Sequence, residues 1–300
     1  MWQIKLKPAT PVKRKKKKTN LLLIASGLLL LSACRQQSEE VPTTEHLLRI
    51  AHLTDLAWQD RNQSGQPTEF MPEERYQALL SDLTSSPADT LILRGIGSEP
   101  ALLNLRDDLE PQTETDWVAT YISGPTIYEG IGFLTQTPPI EVTSLSSETY
   151  SIDGKTFRPL AGGILLETST GPTVWLWNAT LPDPDSPYEN RRNEARLVAQ
   201  AIRPLVREGQ PVLLSIHCRE EMDSPMVRLL TDTGLQPLEA MDEKGDHWTH
   251  RDPHGRVYLQ DQLLFASPAL LASLKDPPSI HSSARLRKAG NFRHQLLRLP

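Results

Sequence analysis

Cysteine is scarce: 300 residues hold only Cys34 and Cys218. Two thiols allow at most one disulfide and no framework of them, and no C-x-x-C pair suggests a zinc knuckle. Aromatic residues make up 6% of the chain, and the formal net charge is −5. An acidic balance argues against nucleic-acid binding that works by charge alone. No apolar run approaches the roughly 20 residues that a membrane-spanning helix needs. There is no internal repeat, and no Gly/Ser-rich linker divides the chain.

What the chain has at its start is a basic segment, with Lys5, Lys7, Lys13, Arg14 and Lys15 through Lys18, followed by the uncharged run LLLIASGLLLLSA and then Cys34. A charged segment followed by a short apolar one is the pattern of an export signal. The sequence LSAC resembles the bacterial lipobox, in which the cysteine is acylated and becomes the new N-terminus. The resemblance implies a signal peptide over residues 1–34, with lipidation at Cys34. Arg35 is not the aspartate that retains many lipoproteins in an inner membrane, so the expectation is an exported protein anchored in the cell envelope, at the outer membrane if the host has one. Two or three acyl chains anchor durably, since each buried CH₂ contributes about 0.8 kcal/mol. Residues 35–46 are polar and aperiodic and read as a flexible tether. Residues 47–300 then form one domain.

HLLRIAHLT has the look of a buried opening strand, and PEERYQALLSDL follows with Tyr76, Leu79, Leu80 and Leu83 at helical spacing. ADTLILRGI is a second strand and ALLNLRDDL a second helix. The middle, GIGFLTQTPPIEV, TFRPLAGGILLETS and TVWLWNATLP, reads as an antiparallel meander cut by Gly and Pro. YENRRNEARLVAQAIRPLV is a long helix that Pro204 should kink or end. PVLLSIHC is an apolar strand, SPMVRLLTDTGL a short helix, and RVYLQDQLLFAS and RHQLLRLP are closing strands. The expected fold is α/β: two packed, mainly antiparallel sheets flanked by helices, a four-layer α/β/β/α sandwich.

The order of these segments resembles the endonuclease/exonuclease/phosphatase family over nearly the whole domain. ADTLILRGIG is similar to that family's PDIIALQEVE strand, GIGFLTQTPPIEV to GIAILSRYPI, and RPLAGGILLE to RPALEA. TVWLWNATL stands for NVHL, PVLLSIHCRE for PVILLGDFND, VYLQDQLLFASPALL for RIDYILVSPAL, and GNFRHQLLRL for SDHYPVVV. The resemblance implies hydrolysis of phosphoesters by water that a His–Asp pair activates, with Mg²⁺ or Mn²⁺ on carboxylates stabilising the charge on phosphate.

Placed residue by residue, that chemistry is mostly replaced. The asparagine of the first strand falls at Thr54, the metal-binding glutamate at Gly95, and the histidine of NVHL at Thr180. The aspartate and asparagine of GDFN fall at Ile216 and Cys218, and the final Asp-His becomes Arg293–His294. Only Asn178, Asp261 and His294 keep family-like identity as candidate catalytic remnants. Each has a plain alternative: Asn178 closing a turn, Asp261 capping a loop amide, His294 lying in a sheet. The expectation is a catalytically impaired protein that acts by binding a phosphate-containing ligand or a partner protein, with no cofactor. The competing reading is an active phosphodiesterase or phosphatase in which Glu99, Asp107 or Asp108 replaces the missing glutamate and Mg²⁺ or Mn²⁺ is required.

Other clusters carry less. His247, His250 and His254 in HWTHRDPH, together with His217–Cys218, invite a zinc reading, but no metal-ligand spacing supports it. Adjacent residues on a strand point to opposite faces, so His217 and Cys218 should not act as a pair. Trp175 and Trp177 share a face, expected to be core. Arg191, Arg192 and Arg196, beside Glu189 and Glu194, read as a solvated helix face, and the basic loop near Arg285 as a weak contact for phosphate or lipid headgroups.

Overall fold

The computed structural model describes residues 46–52, 73–85, 88–125, 130–168, 171–251, 258–259, 262–281 and 293–299. The signal, Cys34, the tether, Thr54, His254, Asp261 and the loop near Arg285 lie outside the described residues.

The chain opens β-α-β-α: β1 (His46–His52), α1 (Glu73–Ser85), β2 (Thr90–Arg94) and α2 (Glu99–Thr113). The strands β3 (Val118–Ser123), β4 (Gly130–Thr135) and β5 (Glu141–Ser144) follow, then a hairpin of β6 (Tyr150–Ile152) and β7 (Lys155–Phe157), then β8 (Leu160–Glu167) and β9 (Thr173–Thr180). Next come α3 (Tyr188–Arg207), β10 (Val212–His217), α4 (Pro225–Thr231) and β11 (Gln236–Leu238). The chain closes with the short pair β12 (His250–Arg251) and β13 (Tyr258–Leu259), β14 (Gln262–Ala266), α5 (Pro268–Leu271), β15 (Ser279–His281) and β16 (His294–Leu299).

Helix starts follow local chemistry. Ser98, Ser224 and Ser267 each accept a backbone N–H three residues on, from Ala101, Val227 and Leu270, and each is followed by a proline in the first turn. Such a cap satisfies an amide that the helix leaves unpaired, while proline lacks the donor that would go unused there. Helix α3 runs three residues past Pro204 and ends at Arg207, the Glu208 N–H donating to the Pro204 carbonyl.

Two six-stranded sheets result, one in the order β15-β16-β1-β2-β4-β3 and the other β11-β14-β10-β9-β8-β5. Within them β1 with β2 and β9 with β10 are parallel, and every other pair is antiparallel. The run GIGFLTQTPPIEV is therefore not one strand: β4 belongs to the first sheet and β5 to the second. RVYLQDQLLFAS likewise divides between β13 and β14.

Three cores make the four layers. Leu79, Leu91, Leu93 and Leu105 pack α1 and α2 on the first sheet. Leu48, Ile92, Phe133, Leu176, Leu213 and Leu264 fill the space between the sheets. Trp175, Trp177, Ile202, Leu214 and Phe265 bury α3 and α4 against the second. The two tryptophans, 6.4 Å apart by ring centroid, are core as their spacing predicts.

The helix-α3 charges are less solvated than expected. Glu194 is buried and accepts from the Tyr150 hydroxyl at 2.7 Å, and Arg191 is bound to Glu220 beyond β10, which leaves Arg192 and Arg196 on the exposed side. The α2 acids are also away from the strand ends. Asp107 is exposed and pairs with Arg106, and Asp108 accepts from the Tyr76 hydroxyl on α1. Both lie in the outer helix layer, because α2 turns its apolar side to the sheet, and so neither replaces the missing glutamate. Glu99 is exposed in the first turn of α2.

Candidate functional site

Side-chain alternation decides what the strand ends present. On β10, Leu213 faces the space between the sheets, while Val212, Leu214, Ile216 and Cys218 sit in the outer core with α3 and α4. Successive side chains take opposite faces, so Ser215 and His217 join Leu213 on the inner side. By the same rule Asn178 and Thr180 join Val174 and Leu176 on β9, and Gln262 joins Leu264 and Ala266 on β14. Across the ladders Ser215 lies beside Asn178, and His217 beside both Thr180 and Gln262.

The interior of the sandwich thus turns from apolar to polar at one end. Asn178 and Ser215 are fully buried, and His217 and Gln262 nearly so. Two hydrogen bonds tie the sheets together there. Arg94, the last residue of β2, donates from Nε to Thr180 Oγ1 at 2.8 Å. Gln295 near the start of β16 donates from Nε2 to the Gln262 carbonyl at 3.1 Å, and Gln262 donates in turn to the Ser215 hydroxyl. Gly95 follows Arg94 with φ of 81°, a left-handed conformation that glycine takes without strain.

Asn178 is set apart within this layer. Neither Oδ1 nor Nδ2 has a hydrogen-bond partner. A buried amide left this way costs about 1–3 kcal/mol, so a water or a ligand is the expected partner.

Several sequence-derived positions correct themselves here. Ile216 and Cys218 point into the outer core, and the groups facing inward are their neighbours Ser215 and His217, one residue along in each case. His294 also points away from the inter-sheet space. Gln295 pairs with Ile50, and Leu297 with Leu48, both inward-facing; His294 therefore takes the outer face of the first sheet. There it is fully buried, with Nδ1 4.0 Å from Asp82 Oδ2 on α1. Burial is the main cause that pulls its pKa down to about 3, with the Arg49 charge adding to it. A ring so placed is neutral at ordinary pH and does not share a site with Asn178.

Arg293 is built into a clamp. Its guanidinium lies 3.7 Å over the Trp248 ring and donates from Nη2 to Asp242 at 2.5 Å, while its backbone N–H donates to the Thr249 carbonyl. The Thr249 hydroxyl accepts from the Gln262 N–H at 3.3 Å, so the segment before β12 seals the starts of β14 and β16. His247 in that segment bonds the Ala240 carbonyl through Nδ1. His217 and Cys218 take opposite faces of β10, as their adjacency predicts.

The described strand ends do not make a magnesium or manganese site. These ions take carboxylate and other oxygen ligands in an octahedron. Arg94 brings a cation instead, Gly95 has no side chain, and Ile216 and Cys218 face away. Among the described residues no group of three or more His, Cys, Asp or Glu is arranged to hold a metal. Arg94, Ser215 and Gln262 are residues that the sequence reading overlooked, and His217 was weighed there only together with Cys218. The period-two register of β10, read from its apolar residues, carried the signal for Ser215 and His217.

No protein-family model and no curated protein matches the sequence. Solved structures do match by shape. An endonuclease/exonuclease/phosphatase family protein from Leptotrichia buccalis aligns over 85% of this chain and 99% of its own, at 13% identity and a TM-score of 0.62. A 3′-5′ exonuclease from Neisseria meningitidis aligns over 84% and 99%, at 15% identity and 0.57. A mannosyl-6-phosphatase from Bacteroides thetaiotaomicron aligns over 85% and 99%, at 12% identity and 0.57. With two six-stranded mixed sheets, helices on both outer faces and these neighbours across most of its length, the chain has the endonuclease/exonuclease/phosphatase fold.

Proposed function

We propose that this chain is an exported lipoprotein, anchored through Cys34, whose domain has lost efficient phosphoester hydrolysis and binds a phosphate-containing ligand at the polar end of its sandwich. The observation that carries the reading is the makeup of the strand ends. Where the family resemblance puts a glutamate, a histidine and an Asp–Asn pair, this chain has Gly95 beside Arg94, Thr180, and Ser215 with His217 facing inward. A hydrolase of this kind needs a base to deprotonate water and a positive centre that receives charge from phosphate. His294, which the resemblance makes the base, is buried behind the sheet, beside Asp82 and Arg49. The Ser215 hydroxyl is fully buried and already accepts a hydrogen bond from Gln262, so it is engaged in the structure rather than poised for attack.

The test is hydrolysis of a generic phosphodiester and of plasmid DNA by the full chain in detergent, with Mg²⁺ or Mn²⁺ and with a chelator. Folded protein without turnover supports the proposal. Chelator-sensitive turnover that Asp261→Ala abolishes overturns it in favour of an active, diverged phosphodiesterase. Anchoring is tested separately by incorporation of labelled palmitate in cells, which Cys34→Ala should abolish.

A further inference from the structure

We infer that a second binding site, for a small organic ammonium ion with an aliphatic body, lies at the edge of the second sheet. It stands apart from the phosphate reading above and does not depend on it.

Strand β11 is the edge strand of that sheet and holds only three residues. Its ladder ends with Leu238 opposite Leu264, so the next residue of β14, Leu263, has no ladder partner on this side. Past Leu238 the chain leaves for the first sheet, where the Met241 carbonyl accepts from the Ile280 N–H of β15. A cavity of about 140 Å³ opens in the gap. Leu238, Leu263, Leu264 and Met222 wall it, and Glu239 and His247 are its polar members. Leu263 and Leu264 are buried, while the Met222 thioether, from the loop after β10, is exposed.

The two polar members have the same hydrogen-bonding sense. His247 Nδ1 lies 3.0 Å from the Ala240 carbonyl oxygen. A carbonyl only accepts, so Nδ1 carries the proton and the neutral ring keeps its lone pair on Nε2. Glu239 is exposed, and its carboxylate makes no hydrogen bond or ion pair with the described residues. The cavity therefore offers two acceptors, one of them anionic, and its other walls bring no side-chain donor to meet them. An ammonium group supplies three donors and the opposite charge, and its hydrogen bonds to a carboxylate are charge-assisted. The alkyl chain behind it would cover the leucines. An anion would instead meet Glu239, and exposed Glu221 and Asp223 on either side of Met222 add charge of the same sign. The space is smaller than the roughly 300–1,000 Å³ of sites for drug-sized ligands, so it suits a body of about four carbons.

The experiment is NMR of the full chain in detergent, with isotope-labelled methionine methyl groups, titrated with n-butylammonium chloride. The matched neutral and anionic probes are n-butanol and sodium butyrate, and Met222→Leu assigns the Met222 signal. The expected result is a saturable shift of that signal by n-butylammonium, with n-butanol and butyrate weaker by about threefold or more. Glu239→Gln, at an exposed position where folding does not depend on it, should weaken n-butylammonium by about threefold. Absence of a saturable shift overturns the inference. So does n-butanol or butyrate binding as tightly as the ammonium, or undiminished binding in Glu239→Gln, because the cavity would then select for apolar bulk alone. None of these outcomes bears on phosphate binding at the polar end of the sandwich.

Discussion

Asp82 on α1 and His294 on β16 meet behind the first sheet, Oδ2 4.0 Å from Nδ1, with Arg49 Nη1 3.3 Å from the same carboxylate oxygen. All three are fully buried, and His281 joins from the edge strand, Nε2 3.3 Å from Asp82 Oδ1. The carboxylate alone would favour a charged imidazole. Burial and the neighbouring guanidinium outweigh it, and the His294 pKa falls to about 3.

That shift predicts a pH dependence of stability. An unperturbed histidine titrates near 6.5, so between about pH 6.5 and 3 the unfolded chain binds a proton that the folded chain refuses. His294 therefore costs nothing above pH 6.5, and stability falls as pH drops toward 3, by an amount on the order of a few kcal/mol. Urea unfolding at a series of pH values should show this slope. His294→Asn should flatten it; an equal slope in that variant would mean that the proton is taken up elsewhere.

The same cluster predicts a marked asymmetry between single and double substitutions. Asp82→Ala leaves Arg49 as a buried charge without its carboxylate and should cost about 3–5 kcal/mol, whereas replacing both by apolar residues, as in Arg49→Met with Asp82→Leu, should be close to neutral or stabilising. The Nε and Nη2 atoms of Arg49 already lack partners, which makes the double replacement the milder change. Denaturant midpoints of the variants decide it. Equal losses in the single and double variants would count against the pairing.

Asp242 gives a second, lower acid window. The backbone N–H of Asp246 is the largest cause that draws its carboxyl down from 3.8 to about 2, and Arg293 and the Lys244 N–H act in the same direction. A depressed carboxyl contributes stability above its unfolded pKa and loses it as pH falls through the folded value. The clamp of Arg293 on the segment before β12 should therefore loosen between about pH 4 and 2. Trp248 fluorescence reads this directly, because the guanidinium lies over its ring. Asp242→Asn should show the loosened signal at neutral pH.

Gly162 lies opposite Asn178 on the neighbouring strand. A Cβ there would stand 2.5 Å from Ile122 Cδ1 in the other sheet and 2.7 Å from the Thr143 carbonyl oxygen. Backbone cannot yield as a side chain can, so Gly162→Ala should destabilise by about 1–3 kcal/mol, measured by thermal unfolding. No loss would show that the sheets separate easily at this level.

The sequence on its own determined the layered α/β fold. Apolar periods of two and of about 3.6 mark most of the strands and helices, and Trp175 and Trp177 were assignable to the core from their spacing alone. Export, lipidation and the tether were also read there, on residues that the described structure does not include. Tertiary structure alone decided the rest. Strand β3, the β6–β7 hairpin and the short strands β11, β12 and β15 have weak local patterns and are fixed by the ladders they join. On the helices, the partners of Glu194, Arg191 and Asp108 come from distant segments. The site depended on something finer still. A slip of one residue on a strand turns a side chain from one face to the other, so matching letters to a family motif placed Ile216, Cys218 and His294 in a cleft that they do not face. Packing settles the face of each residue, and through it put Thr180, Ser215 and His217 together on the inner side at the polar end of the sandwich, with Arg94 bonded to Thr180.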